Sequence, residues 1–451
     1  MSAPAVSRLS KAAQSSAAQN SAIQRAAWEA SSLDWLYLDL NSYFASVEQQ
    51  ENPRLRGKPV IVVPVMSETT SAIAASYEAK AFGIKTGTPV WEAKRLCPGI
   101  ALVDARHDVY VKYHHRILEE VDRHIPVYKS WSIDEVSCEL MGPQKLEPEA
   151  RALAHRIKAG LRQNLGECIR CSIGIAPNQF LAKLASDMQK PDGLTVIHRH
   201  ELPERILPLP LRDLPGIGPN MERRLNEAGI RSIEQLWALD PREARAIWGS
   251  KEGPAFCARL RGYGDYHQSS EHRSVSHEHV LPPQFRDADS AFLVVRRLCT
   301  KAGSRLRRMG YLASGFYLKA RFETGERWAA DFRLTQTQDN FILLDAAERL
   351  WQAMLRETGP RRGRFKKVGI ALHGLVPEQQ VTLDLFSGGS GHERNPQQAA
   401  ARAKLSAVMD RLNGKFGKDT VHLGVLPGHR ADFMGAKIAF NRIPDAKEFI
   451  E

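Results

Sequence analysis

The stretch Trp35-Leu36-Tyr37-Leu38-Asp39-Leu40-Asn41-Ser42-Tyr43-Phe44 constrains this chain more than any other. It reads as a buried strand, because central strands are near-continuous apolar runs. The run ends by presenting Asp39 and then turns at once into two aromatics. A carboxylate is costly to bury unless it is paired or bound to metal. Asp39 is therefore either a group at a strand mouth in a functional cleft or an ordinary strand-end turn residue.

A second stretch bears on that choice. Val127 to Leu140 has a strand–turn–strand pattern with Asp134-Glu135 at the bend. Adjacent residues on a strand point to opposite faces, but at a tight turn both carboxylates can reach one site. With Asp39 they would make a three-carboxylate cluster, a ligand set for hard cations such as Mg²⁺. Taken alone, the pair reads equally as an acidic hairpin turn.

The elements around these acids predict an α+β sheet layered with helices. A helix over 45–50 stops before Asn52-Pro53, and Pro59 to Val65 is a second strand. Small residues from Ser71 lead into Tyr77-Glu78-Ala79-Lys80 and a Gly-punctuated loop over 82–89. Helices are expected over 109–125, 150–164 and 178–188, and short strands over 168–176 and 194–197. Lys190-Pro191-Asp192-Gly193 is a turn. Cys168 and Cys171 form a lone C-x-x-C in the first of those strands, which favours core thiols over zinc. The scattered cysteines indicate a reducing cytosol. No apolar run reaches the roughly 18 residues a membrane span needs.

At 451 residues the chain should hold about three domains. The pattern changes near residue 200. Leu214-Pro215-Gly216-Ile217-Gly218 reads as the hairpin of a helix-hairpin-helix, whose glycines expose backbone N–H groups to phosphate, or as a plain turn. Helices over 221–228, 233–239 and 241–247 complete a small helical unit. A polar linker follows, and its histidines (His267, His272, then His277 and His279) lack closing partners for a metal. From Ser274 two helices and about four strands form a small α+β sandwich. Its first helix, 290–309, carries six basic residues, Arg305 and Arg307 among them. A net charge of +12 favours a polyanionic partner, nucleic acid first, although a merely soluble basic protein fits the same number. Gln380-Val381-Thr382-Leu383-Asp384-Leu385-Phe386 precedes a Gly/Ser-rich stretch and suggests a peptide that docks in a partner's groove. Beyond it a helix over 396–412 and a strand-like 420–423 are expected.

Four motifs in order resemble Y-family translesion DNA polymerases of the DNA polymerase IV type: Asp39 to Glu48, Ser76 to Lys80, Ser132 to Glu135, and Lys190 to Gly193. The resemblance runs from about Leu33 to Phe386. It implies an α+β multidomain right hand: palm 32–202 with fingers inserted at about 51–103, a helical thumb 203–263 with the helix-hairpin-helix, a linker 264–273, and an α/β little-finger domain 274–379. A tail 1–31 precedes these, and a clamp-binding peptide with a C-terminal extension covers 380–451.

By the same resemblance Asp39, Asp134 and Glu135 are the catalytic carboxylates. With the Leu40 carbonyl they would hold two Mg²⁺ ions, Mn²⁺ being a substitute. Tyr77, Lys80 and Lys190 would hold the triphosphate. Phe44 would be the steric gate under the sugar, with Tyr43 beside it. Gly216, Gly218, Arg305 and Arg307 would contact DNA, and Gln380, Leu383, Leu385 and Phe386 a sliding clamp. The implied partners are primer-template DNA, dNTP and the clamp. The implied state is a monomer in the bacterial cytoplasm, at the nucleoid, without a membrane.

Departures from the family pattern are Lys80 where Arg is usual, which loses bidentate phosphate contact, and Ile73 at the roof over the nascent base pair. Glu139 stands where Asp is common, and the clamp peptide is one residue longer than usual. The competing readings are a catalytically silent, clamp-bound adaptor and a helix-hairpin-helix DNA-binding or nuclease protein. All three acids are present, which favours the polymerase, and the nuclease reading explains neither Phe44 nor the acid pair.

Overall fold

The computed structural model describes residues 33–265, 274–359, 363–380, 396–417, 420–424 and 443. Expectations for 1–31, for 266–273 of the linker and for Leu383, Leu385 and Phe386 lie outside the described residues. Described residues 33–265 belong to one compact unit, and 274–424 to a second.

The first unit is organised around β1 (Trp35–Leu40), buried along its whole length. β2 (Val60–Val63), β3 (Ala74–Ala75) and β4 (Ala101–Asp104) form a small separate sheet of order β3-β2-β4. β5 (Lys129–Ser130), β6 (Glu135–Glu139), β7 (Cys171–Ala176) and β8 (Leu194–Val196) join β1 in a five-stranded sheet of order β5-β6-β1-β7-β8. β1 is antiparallel to both β6 and β7. Neighbours on both edges satisfy its backbone, so its apolar side chains are free to fill the core.

Side chains alternate along β1, so Trp35, Tyr37 and Asp39 share one face. The helix Gln179–Met188 covers that face, and its Phe180, Leu181 and Leu184 pack with Trp35 and Tyr37. The helix sits so close to β7 that a side chain at Gly174 would collide with the Ala182 carbonyl.

The strand expected over 168–176 begins only at Cys171. Ahead of it, Ile169 N–H closes a turn onto Gly166, and the Gln50 side chain takes the Cys168 N–H. Cys168 is half-buried and Cys171 buried; neither is in a disulfide.

The small sheet has its own core of Ile61, Val63, Ala75, Ala79, Ile84 and Val90. Beyond residue 200 come helices Pro219–Glu227, Ile233–Ala238, Pro241–Trp248 and Glu252–Leu260. The last is absent from the sequence reading, because Gly253 and Pro254 at its start suppress the helical signal. Phe256 and Leu260 on it nevertheless pack into the cluster that holds Phe180.

In the second unit β9 (Ser274–Val280), β10 (Tyr311–Phe322), β11 (Arg327–Thr337) and β12 (Phe365–Pro377) form an antiparallel sheet of order β11-β10-β12-β9. His277 and His279, which follow the polar linker in sequence, belong to β9. Helices Ala288–Met309 and Asn340–Thr358 supply the opposing half of the core, with Leu298, Leu343 and Trp351 against Phe316, Phe365 and Ile370.

The helix Pro396–Phe416 belongs to this unit and buries Met409. The segment expected to be strand-like, 420–423, is a bend instead. Asn413 exchanges two 2.8 Å hydrogen bonds with the Val421 backbone, replacing a strand partner. Among the described residues no helix is long and apolar enough to cross a membrane.

Candidate active site

Asp39 and Glu135 are direct partners across the β1–β6 ladder, so their side chains leave the sheet on the same face. Both converge on the Lys183 ammonium, 2.5 Å from Asp39 Oδ2 and 2.7 Å from Glu135 Oε1. The other Asp39 oxygen lies 2.7 Å from Lys190 Nζ. Asp187 joins the two lysines, 2.7 Å from Lys190 and 3.2 Å from Lys183. Tyr37 donates to Glu135 Oε2 at 3.3 Å. Burial works against the charge on Lys183, but Asp39, Glu135 and Asp187 hold its pKa above the ordinary lysine value.

Lys183 and Asp187 are absent from the sequence reading. The available signal was their isolation. They are the only charged residues in the helix Gln179–Met188, one turn apart on a face otherwise given to the core.

Asp134 stands beside this pair at the β6 bend. Its carbonyl accepts the Leu40 N–H at 2.8 Å, which fixes the acid turn against the end of β1. Burial pushes the Asp134 carboxyl up to about 6, and Asp39 and Glu135 add repulsion. The Ser132 hydroxyl, donating to Oδ1 at 2.5 Å, pulls the other way. Three acids packed this closely repel one another, and the cationic nitrogen between Asp39 and Glu135 marks the place where positive charge is stabilised. The donor set is all oxygen. Oxygen donors are the kind a hard divalent cation takes.

Tyr77 and Lys80 come from the short helix Tyr77–Lys80. Lys80 Nζ lies 4.3 Å from the centre of the Tyr77 ring. Partial burial of its ammonium, then repulsion from Lys190, lowers the Lys80 pKa, while Asp39 raises it. Burial raises the Tyr77 pKa, against a lowering by Lys190. Tyr77, Lys80 and Lys190 thus lie within electrostatic reach of one another and of Asp39. Ile73 is half-buried, with its N–H on the Val62 carbonyl at 2.8 Å. Glu139 is exposed at the far end of β6, opposite Trp35 and four residues from Glu135.

The two aromatics after β1 part company. Phe44 is half-buried. Tyr43 is 3% exposed and donates its hydroxyl to the Tyr110 carbonyl at 2.6 Å. The one polar atom of the Tyr43 side chain is used inside the fold.

Gly216 and Gly218 are exposed at the start of the helix Pro219–Glu227, and Gly216 takes a φ of +91° that favours glycine. In the second unit Arg307 is not presented outward. It pairs with Asp410 at 2.6 and 3.0 Å and donates to the Gln338 carbonyl at 2.7 Å. Its guanidinium is therefore engaged inside the unit, and a count of charges along a helix does not say which face each occupies. Arg305 is half-buried on the same helix. The exposed basic residues of the strands are Lys319, Arg321, Arg327 and Arg333, with Arg321 opposite Arg327 and Lys367 across the sheet. Gln380 ends a short turn, Glu378–Gln380.

Comparison with known proteins agrees with this layout. Models of the impB/mucB/samB family match residues 38–187 and, for its C-terminal domain, 272–385. A model described as the thumb domain of DNA polymerase iota matches 212–263. The chain is 34% identical over 405 residues to DNA polymerase IV of Moorella thermoacetica, covering 88% of this chain and 96% of that one. It is 30% identical over 400 residues to DNA polymerase IV 1 of Bacillus subtilis, covering 86% and 92%. Among solved structures, the Y-family DNA polymerase chimera Dbh-Dpo4(243-245)-Dbh shares the fold with a TM-score of 0.65 at 24% identity, over 76% of this chain and 99% of that one. An insertion ternary complex of Dbh DNA polymerase gives 0.50 at 25% identity over the same shares. On its acid pair, its fold and its near-full-length relatives, the chain belongs to the impB/mucB/samB family, the Y-family DNA polymerases, and is of the DNA polymerase IV kind.

Proposed function

We propose that this translesion DNA polymerase transfers a nucleotide from dNTP to a primer 3′-hydroxyl using two Mg²⁺ ions held by Asp39, Asp134, Glu135 and the Leu40 carbonyl. The observation that carries the proposal is the convergence of Asp39 and Glu135 on one cationic position with Asp134 at their side. Divalent ions there supply charge neutralisation for the attacking and leaving oxygens and lower the pKa of the 3′-hydroxyl. Mn²⁺ would serve the same oxygen donors.

The chain's own groups do the rest. Lys190, Lys80 and Tyr77 bind the triphosphate, the lysines as point charges. Lys183 and Lys190 neutralise the carboxylates while no ion is bound. Phe44 lies under the sugar and leaves no room for a 2′-hydroxyl. The exposed glycines of the hairpin and the basic strand face of the second unit follow the phosphate backbone without reading sequence. The palm, fingers, thumb and little finger keep the boundaries given above. Gln380, Leu383, Leu385 and Phe386 form a peptide for a sliding clamp, and the protein works as a monomer at the bacterial nucleoid.

The test is single-nucleotide extension on four templates that differ only in the first unpaired base. The expected result is that each template directs preferential addition of its complementary dNTP. Addition that ignores the template base would overturn the reading, as would no addition at all.

A further inference from the structure

We propose that Lys158 and Asp192 are positioning residues for Lys190, and through it for the triphosphate of the incoming nucleotide. The inference rests on the reading of Lys190 as a triphosphate ligand.

Lys190 belongs to the turn Gln189–Gly193, between the helix Gln179–Met188 and β8. The turn is folded tightly on itself, since a side chain at Gly193 would strike the Gln189 carbonyl. Asp192 takes a φ of +57°, in the left-handed region that L-residues seldom adopt. Such a conformation persists where its surroundings over-determine it.

Here they do. Lys158, from the helix Glu147–Leu165, puts Nζ 2.7 Å from Asp192 Oδ1 and 2.7 Å from the Asp192 carbonyl. Its third donor goes to the Cys171 carbonyl at 2.8 Å. Arg162, one turn on, reaches Asp192 Oδ2 at 3.2 Å. The Lys158 side chain is 11% exposed, so this ammonium is largely withdrawn from water. Ion pairs of that kind are strongly directional when all their donors are used.

On the other side the Asp192 N–H donates to Asn41 Oδ1 at 2.7 Å. Asn41 Nδ2 donates in turn to Ser172 Oγ at 3.0 Å. Ser172 Oγ donates to the Gln189 carbonyl at 3.2 Å. Asn41 directly follows Asp39-Leu40 in the chain. One bonded set therefore ties the Lys190 turn to the end of β1 that carries Asp39. A cavity of about 370 Å³, lined by His155, Ala159, Arg162 and Leu194, lies against the pair.

Lys158 lies on a different helix from the acid site, and its donors are used on the turn and β7. It acts on nucleotide binding only by holding the turn. That distinguishes a positioning role from a general structural one.

The experiment is steady-state primer extension with the full chain, comparing wild type, Lys158→Met, Lys158→Arg, Asp192→Asn and Lys190→Ala. Asn also tolerates the left-handed region, so Asp192→Asn removes the charge without adding strain and serves if Lys158→Met does not fold. Lys158→Met and Asp192→Asn are expected to raise KM for dNTP about tenfold with kcat within about twofold. Lys158→Arg should recover most of the loss. On a Lys190→Ala background, Lys158→Met should add little, because the two act on one contact. If Lys190→Ala raises KM and neither Lys158→Met nor Asp192→Asn does, the positioning role is overturned while the triphosphate reading stands. If Lys190→Ala leaves KM unchanged, the triphosphate reading itself fails. A fall in kcat and melting temperature with KM unchanged marks Lys158 as merely structural and also overturns the proposal.

Discussion

Phe44 lies almost flat on Tyr110, their ring centroids 4.4 Å apart and their planes 17° from parallel. Tyr110 cannot tilt freely, because its hydroxyl donates to Glu48 Oε1 at 2.7 Å and Glu48 is paired with Arg106 at 2.5 Å. Phe44 thus rests on a braced aromatic platform. Its rotamer is set from behind, and its free face is a fixed wall.

A fixed wall discriminates by exclusion. Phe44→Ala should raise ribonucleotide incorporation relative to deoxyribonucleotide by roughly 10–100-fold, with DNA binding retained. Tyr110→Leu should move the ratio the same way by less. The ratio of kcat/KM for rNTP and dNTP checks both, and an unchanged ratio in Phe44→Ala would remove Phe44 from this role.

His114 gives the fold a defined acid sensitivity. It is 2% exposed, and its Nδ1 lies 2.7 Å from the Ile133 carbonyl, next to Asp134 in the chain. Burial lowers its pKa to about 4, from 6.5 in the unfolded chain. The neutral form is therefore favoured by folding. Its stabilisation is fully present above pH 6.5 and is lost as the pH falls towards 4, by on the order of 3 kcal/mol at most. Wild type should lose several degrees of melting temperature between pH 7.5 and 5, and His114→Gln clearly less. Equal losses would contradict the account.

The basic strand face of the second unit makes a salt-dependence prediction. Arg321→Ala and Arg327→Ala should each weaken primer-template binding about equally on unrelated sequences and reduce the slope of log affinity against log salt by about 1. Arg307→Ala should leave that slope unchanged, because its guanidinium is engaged by Asp410. Binding titrations at several salt concentrations separate the two cases.

These residues also show what the sequence made legible. Asp39 was readable because an apolar strand stops on it, and Asp134-Glu135 because a strand–turn–strand pattern has one bend. Those are local signals, and β1 and β6 set Asp39 opposite Glu135. Lys183 and Asp187 look in sequence like an ordinary helical ion pair. Only the tertiary placement of their helix over β1 turns them towards Asp39. Arg307 shows the same limit in reverse, since its partner Asp410 lies 103 residues away on a helix that sequence alone does not dock. The helix Glu252–Leu260 was hidden by Gly253 and Pro254, whose poor helix propensity is overridden by the burial of Phe256 and Leu260.

The account stands on the three carboxylates acting as one metal-binding set. The most direct measurement is single-turnover primer extension with Mg²⁺, comparing wild type and Asp134→Ala, with circular dichroism to show that both are folded. The account predicts extension by wild type and a loss of at least about 10³-fold in rate for Asp134→Ala, of the size expected when a group acting directly on the reacting charge is removed. A folded Asp134→Ala protein that extends primers at the wild-type rate would contradict it.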